Sequence, residues 1–138
     1  TLISKNEVLP IYRPRHKYSH KGTYGHGVII GGSYGKIGSV ILAAKAALRM
    51  GAGLITSYIP ECGYDAMQST LPEAMVITDG DDELEEITLD FTPSVIGLGI
   101  GLGTHDKTVK ALKEFLLENK SPLVIDADGI NRAMARRF

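Results

Sequence analysis

The sequence contains a single cysteine, Cys62, and carries almost no net charge. One thiol excludes an internal disulfide framework and a zinc site built from several thiolates, and it suits a reducing compartment. The 15 Lys and Arg residues nearly balance the 16 Asp and Glu residues, which argues against a chain-wide basic surface for nucleic acid or membranes. No apolar run approaches the roughly 18–20 residues that a membrane-spanning helix needs.

The composition that remains is that of a globular protein. Hydrophobic residues make up 43% of the 138 positions and charged residues 22%, which argues against a disordered, collagen-like or coiled-coil chain. The length fits one domain of ordinary size. These numbers predict a cytoplasmic α/β domain that occupies residues 1–138.

Short apolar runs alternate with helix-like segments after a polar, basic lead-in over residues 1–25. The runs are bounded by turn residues and predict five buried strands: 28–30, 54–59, 74–78, 94–98 and 123–125. Helical spacing of apolar residues predicts helices over 37–48, 61–70 and 105–119. The acidic stretch 79–86 is predicted as a solvated loop or short helix. This order predicts a doubly wound, mostly parallel sheet with helices on both faces.

Two glycine-rich segments follow predicted strands, at the edge where open parallel sheets bind ligands. In the first, Gly31 to Gly35, a helix N-terminus comes next and would suit a phosphate, although a tight turn without a ligand explains the glycines equally well. The second places glycine at every other position from Gly97 to Gly103. That spacing favours backbone contact with a flat or anionic ligand over simple close packing.

Two acidic residues follow the fifth predicted strand. Asp126 stands where a carboxylate can face a phosphate, a metal ion or a hydroxyl group. Asp128 is more readily explained as a cap of the final helix.

The other chemically reactive side chains favour structural roles. His20, His26 and His105 lack metal-ligand spacing, and Cys62 has no activating neighbour. The acidic stretch 79–86 indicates a solvated surface rather than a metal site. No nucleophile elbow or Ser-His-Asp arrangement is visible.

Five segments together resemble the ADP/ATP-dependent NAD(P)H-hydrate dehydratases, in order and in spacing: HKGTYGHGVIIGGS, GKIGSVILAAKAALRMGAGLIT, LPEAM, GLGIGLGT and VIDADGIN. They cover the chain from about His20 to Asn131. The resemblance implies a ribokinase-like fold and a repair reaction that removes water from hydrated NADH or NADPH. It also implies ADP or ATP with Mg²⁺ as cofactors, which phosphorylate the hydroxyl group to be expelled.

The resemblance carries over to individual positions that would bind the hydrated dinucleotide: Gly32, Gly38, Ser39, Gly99, Gly101, Gly103, Asp126 and Asn131. Ser39 stands where the family has a small residue that touches substrate. Ile100 replaces the proline of the family's Gly-Pro-Gly-Leu-Gly loop. Gly129 and Ile130 replace Ala-Leu in its Asp-Ala-Asp-Ala-Leu-Asn segment.

Members of the family continue for about as many residues again, and that part holds their nucleotide site and catalytic aspartate. The resemblance therefore implies that residues 1–138 form the N-terminal, substrate-side part of a truncated ribokinase-like domain, without catalytic or metal-binding residues. We expect its exposed sheet edge to make it a homo-oligomer. We expect a small-molecule substrate and neither nucleic-acid nor membrane partners.

Two other functions remain open at this point. The ribokinase-like superfamily also contains kinases of sugars and vitamin precursors, and fold does not determine reaction. A nucleotide-binding or assembly module without turnover is the other alternative, because the expected catalytic residues are absent.

Overall fold

The structure, a computed structural model, describes residues 3–12, 14 and 16–134, with side chains as far as Asn131. Five strands and five helices alternate along most of it. In chain order they are α1 (Lys5–Val8), β1 (His26–Gly31), α2 (Ile37–Arg49), β2 (Leu54–Ile59), α3 (Tyr64–Thr70), β3 (Met75–Thr78), β4 (Val95–Ile100), α4 (Asp106–Glu118), β5 (Leu123–Ile125) and α5 (Asp128–Met134). Short 3₁₀ turns at Lys21–Tyr24 and Glu61–Gly63 precede β1 and α3.

The five strands form one sheet in the order β3-β2-β1-β4-β5, and every neighbouring pair is parallel. The predicted doubly wound parallel sheet is therefore confirmed. The chain moves outward from β1 through β2 to β3, and then returns to place β4 on the other side of β1. Strand order thus reverses between β1 and β4, which is the point where such sheets bind ligands.

Helices cover both faces because alternate strand residues point in opposite directions. On one face, Val28 and Ile30 of β1 share a buried cluster with Leu112 of α4. On the other face, Ile55 and Ile59 of β2 share a second cluster with α2 and α3. Both strands are rich in apolar residues because both of their faces are buried, although β2 also buries Thr56 and Ser57.

The structure departs from the sequence predictions in two segments. The polar lead-in contains the short helix α1, in which Ser4 and Glu7 form a capping box. The stretch 79–86 is a loop, as one of the two predictions had it, but it is not simply solvated. Leu84 is completely buried, and the Thr108 hydroxyl donates a hydrogen bond of 2.8 Å to the Leu84 carbonyl. A buried apolar side chain ties this acidic loop to α4.

None of the described helices is both long enough and apolar enough to cross a membrane.

Candidate functional site

A cleft of about 440 Å³ lies beyond the carboxyl ends of β1 and β4, at the reversal of strand order. Its volume is within the range of small-molecule sites. Three segments line it: the turn after β1, the loop after β4 and the acidic loop after β3. The lining residues are Ser33, Tyr34, Lys36, Asp82, Glu83, Gly103, Thr104 and His105.

The turn between β1 and α2 forms the first wall and is tied to the other two. The Gly32 amide donates a hydrogen bond of 2.8 Å to the carbonyl of Ile100. The Tyr34 amide donates one of 2.7 Å to the carbonyl of Asp82. The turn is thereby linked to the end of β4 and to the acidic loop.

The loop between β4 and α4 forms the second wall and is anchored at two points. The Ser33 hydroxyl donates a hydrogen bond of 2.9 Å to the Gly101 carbonyl. The Gly103 amide donates one of 3.0 Å to Oδ2 of Asp128. Side chains from two different segments therefore fix the shape of this glycine-rich loop.

Gly99, where this loop begins, is required by close packing. Its φ of +117° is in a region that other residues rarely adopt. A Cβ atom here would lie only 2.1 Å from the carbonyl oxygen of Asp126. At this position the structure supports the close-packing explanation that the sequence had left open.

The acidic loop forms the third wall, and its carboxylates organise it. Oδ1 of Asp79 accepts hydrogen bonds from the amides of Glu85 and Glu86, at 2.8 and 2.6 Å. Oε2 of Glu83 lies 2.8 Å from Nδ1 of His105, so the acidic loop contacts the start of α4. The 2.6 Å contact with Glu85 raises the pKa of Lys107.

The cleft has no single sign of charge. Lys36 and His105 contribute cationic or titratable groups, and Asp82 and Glu83 contribute carboxylates. Such a mixed lining can meet hydroxyl, amide and phosphate groups of one extended ligand. It differs from the uniformly cationic surface that nucleic-acid binding needs.

The carboxylates that the structure describes are not gathered into a metal-binding cluster. Among the side chains that the structure describes, no three His, Cys, Asp or Glu residues come together to hold a metal ion. Asp126 and Asp128 instead accept hydrogen bonds from the Ala127 and Gly103 amides. Mg²⁺ is usually held by one or two carboxylates together with waters and phosphates of a bound ligand, so no Mg²⁺ site is assigned to these two residues.

Of the predicted binding residues, Gly103 lines the cleft itself, and Gly101 and Ser39 lie next to each other beside it. A Cβ atom on Gly101 would lie 2.6 Å from Oγ of Ser39, so these two residues are direct neighbours. The Ser39 hydroxyl donates to the Lys36 carbonyl at 2.7 Å. Gly38, in the first turn of α2, has open space where a side chain would be. Gly32 lies in the turn between β1 and α2, and its amide is already bonded to the Ile100 carbonyl.

Other predicted residues lie on the β5 side of the same edge. Asp126 directly follows β5 and is exposed, and its carbonyl packs against Gly99. Asn131 is exposed on α5, where its amide donates to the Ala127 carbonyl at 3.3 Å. These two residues do not line the cleft described above.

The capping role predicted for Asp128 is wrong. Asp128 is itself the first residue of α5, and its carboxylate accepts the Gly103 amide, 25 residues earlier in the chain. Sequence spacing favoured a local cap because it does not show that the β4 loop passes over the start of α5.

Of the three histidines considered above, only His105 lines the cleft. His26 is the first residue of β1, at the end of the strand away from the cleft. Its ring stacks on Phe91 with centroids 4.5 Å apart. Burial lowers the pKa of His26. Cys62 is an exposed residue. Partial desolvation of its thiol by neighbouring atoms, together with the nearby Asp82, raises the pKa of the thiol. Neither residue has a position that suggests catalysis.

Comparison with known proteins decides the family. A family model described as Carb_kinase, NAD(P)H-hydrate dehydratase, matches residues 27–137. The chain belongs to this family. The resemblance that the five sequence segments indicated is thereby confirmed.

Individual relatives agree with the family assignment. An ADP-dependent (S)-NAD(P)H-hydrate dehydratase of Staphylococcus aureus is 40% identical over 119 residues, which cover 84% of this chain and 42% of that protein. A bifunctional NAD(P)H-hydrate repair enzyme of Coxiella burnetii is 37% identical over 132 residues, covering 94% of this chain and 26% of that protein. The chain thus spans less than half the length of either relative.

The fold also matches solved structures. An ADP/ATP-dependent NAD(P)H-hydrate dehydratase of Bacillus subtilis, co-crystallised with ATP and Mg²⁺, is 28% identical with a TM-score of 0.77. The match covers 92% of this chain and 46% of that one. A ribokinase-like superfamily protein of Enterococcus faecalis matches with a TM-score of 0.74 over 91% of this chain. The ribokinase-like fold expected from the resemblance is confirmed.

Proposed function

We propose that this chain forms the substrate side of an enzyme that removes water from hydrated NADH or NADPH, with ADP or ATP as the phosphoryl donor. The single observation that carries the proposal is the cleft at the reversal of strand order. It lies within the region matched by the dehydratase family and is built from its two glycine-rich segments. In this proposal residues 1–138 are the N-terminal, substrate-binding part of a ribokinase-like domain.

The proposed division of labour follows from what the described residues can do. Gly101 and Ser39 provide a narrow surface without large side chains, which a flat nicotinamide ring can approach. Lys36 and the polar groups around it can meet phosphate and ribose hydroxyl groups. Orientation of the bound substrate is the contribution we assign to them.

The phosphoryl-transfer step is not assigned to these residues. The described His, Cys, Asp and Glu residues form no cluster of three that could hold a metal ion, and the resemblance implies a nucleotide-binding surface outside this chain. ADP and ATP dependence is stated in the names of the relatives. For this chain the nucleotide, and Mg²⁺ with it, remain part of the proposal.

A binding measurement with matched variants tests the proposed site. Calorimetric titration with hydrated NADH and hydrated NADPH is expected to show binding to the unaltered chain. Ser39→Leu should weaken binding at least about tenfold, because a large side chain beside Gly101 would block the proposed surface for the nicotinamide ring. Ser69→Leu is the control, since Ser69 is another helical serine whose hydroxyl donates to a carbonyl three or four residues earlier, and it lies on α3, away from the cleft.

The outcomes separate the proposal from its alternatives. Equal affinity of the Ser39→Leu variant would contradict the site, and lack of binding by the unaltered chain would contradict the function. The names of the relatives do not favour a sugar or vitamin-precursor kinase. A binding module without turnover would bind the dinucleotide but fail to support dehydration when the rest of the domain is supplied.

Self-association and a cytoplasmic location belong to the same proposal. β5 is an edge strand of the sheet and its Val124 is 63% exposed, and an unpaired strand edge of this kind can pair with another chain. Sedimentation at micromolar concentration should show a species larger than a monomer. A single monomeric species would contradict the predicted homo-oligomer.

A further inference from the structure

The β4–α4 loop is held at Gly103 by the side chain of Asp128, a contact that the sequence did not predict. The half-buried Asp128 carboxylate accepts the Gly103 amide at 3.0 Å, across 25 residues of sequence. A hydrogen bond to a charged acceptor is roughly twice as strong as one between neutral groups. Asp128 therefore holds the end of the loop that lines the cleft.

The turn that carries Asp128 is itself closely fitted to the loop. A Cβ atom on Gly129 would lie 2.9 Å from Cα of Gly99, so the two backbones are in contact. Ala127, directly before Asp128, has a φ of +48°, which is uncommon for a residue other than glycine. Such conformations persist only where the surrounding structure enforces them. The backbone residues on either side of Asp128 are thus held by their surroundings, which fixes the position from which its side chain extends.

This arrangement changes how the glycine-rich loop can bind a ligand. The sequence predicted that backbone amides of this loop are free to contact a flat or anionic ligand, but the Gly103 amide is already bonded to a carboxylate. The negative charge of that carboxylate also opposes a phosphate at the same place. The loop end is therefore suited to an uncharged part of the ligand.

We propose that Asp128 is a positioning residue, which fixes the Gly101–Gly103 segment in the shape that receives an uncharged part of the hydrated dinucleotide. This inference rests on the proposed function for the identity of the ligand. Ser33 supplies the second anchor through its bond to the Gly101 carbonyl. Asp128 acts through the loop and does not itself contact the ligand.

The first test needs no ligand. Amide hydrogen exchange measured by NMR should be at least about tenfold faster at Gly103 in Asp128→Ala, with Ile96 and Leu98 of β4 unchanged. Asp128→Asn keeps an oxygen acceptor and should retain the protection. Asp106→Ala is the matched control, because Asp106, like Asp128, is an aspartate at the first position of a helix that follows a strand. It should leave Gly103 exchange unchanged.

The second test uses titration with hydrated NADH. Asp128→Ala should bind at least about tenfold more weakly, and Asp128→Asn within about threefold of the unaltered chain. Unchanged or tighter binding by the Ala variant would overturn the proposal, and tighter binding would mean that the carboxylate blocks an anion site. If the Ala variant does not fold, a Gly103 amide that is already unprotected from exchange in the unaltered chain would overturn it.

The two levels of inference fail separately. If the unaltered chain does not bind hydrated NADH, the proposed function fails, and the exchange of Gly103 still decides whether Asp128 fixes the loop.

Discussion

Three glycines at the ligand-binding edge should respond very differently to a change to alanine. At Gly99 the φ of +117° and the contact with the Asp126 carbonyl both oppose a side chain. Gly35 has a φ of +77° but nothing within 4 Å of the added atom. Gly38 has neither restriction and lies in α2. The series separates backbone conformation from steric contact.

The magnitudes follow from these two terms. An unfavourable backbone conformation costs about 1–3 kcal/mol, and forcing an atom into a packed region costs about 1–3 kcal/mol more. Gly99→Ala should therefore lower the free energy of unfolding by about 2–6 kcal/mol. Gly35→Ala should lose about 1–2 kcal/mol, and Gly38→Ala should gain about 0.4–1 kcal/mol.

Urea unfolding followed by circular dichroism measures all three changes. The expected order of stability is Gly38→Ala, the unaltered chain, Gly35→Ala and then Gly99→Ala. At roughly 3 °C per kcal/mol, Gly99→Ala should melt roughly 6–18 °C lower. If Gly99→Ala is no less stable than Gly35→Ala, the close contact between Gly99 and the β5–α5 turn is not rigid, and the reasoning is refuted.

Three further predictions concern His26, the core residue Leu98 and Cys62. Burial lowers the pKa of His26. The unfolded chain therefore binds a proton that the folded chain resists, so stability should fall as the pH drops below about 6.5, and His26→Gln should reduce that loss in urea titrations at pH 7.5 and 5.5. Leu98→Ala should cost about 2–5 kcal/mol because Leu98 is only 1% exposed, whereas Leu117→Ala, at 86% exposure, should change stability by less than about 0.5 kcal/mol in the same assay. The raised pKa of Cys62 should make iodoacetamide alkylation at pH 7.5 slower than that of a free cysteine, and equal rates would contradict it.

Sequence patterns predicted the sheet because the features that form its strands and helices, apolar runs and helical spacing, lie within short segments of the sequence. Runs such as Val28 to Ile30 are apolar in every position when helices cover both faces of a strand. The spacing of Val40 and Ala44 marks the buried side of α2. The edge that holds the cleft followed from strand topology, since glycine-rich turns after β1 and β4 must meet there.

The details of the site depend on contacts that no local pattern encodes. The bond between Asp128 and Gly103 joins segments 25 residues apart, and the contact between Glu83 and His105 joins two loops. Leu84 is buried within an otherwise acidic stretch because that loop folds onto α4. These pairings arise only when the sheet brings distant turns to one edge. The predicted binding residues, Ser39 and Gly101 among them, remain predictions about the ligand.

Restoration of NADH absorbance is the decisive measurement for the proposal that this chain is the substrate side of a hydrated NAD(P)H dehydratase. The chain would be assayed alone and fused to the remaining part of the Staphylococcus aureus relative, with hydrated NADH, ADP or ATP and Mg²⁺. We expect no restoration by the chain alone and nucleotide-dependent restoration by the fusion. Restoration by the chain alone would contradict the assignment of phosphoryl transfer elsewhere. A folded fusion that binds hydrated NADH without restoring it would contradict the dehydratase function.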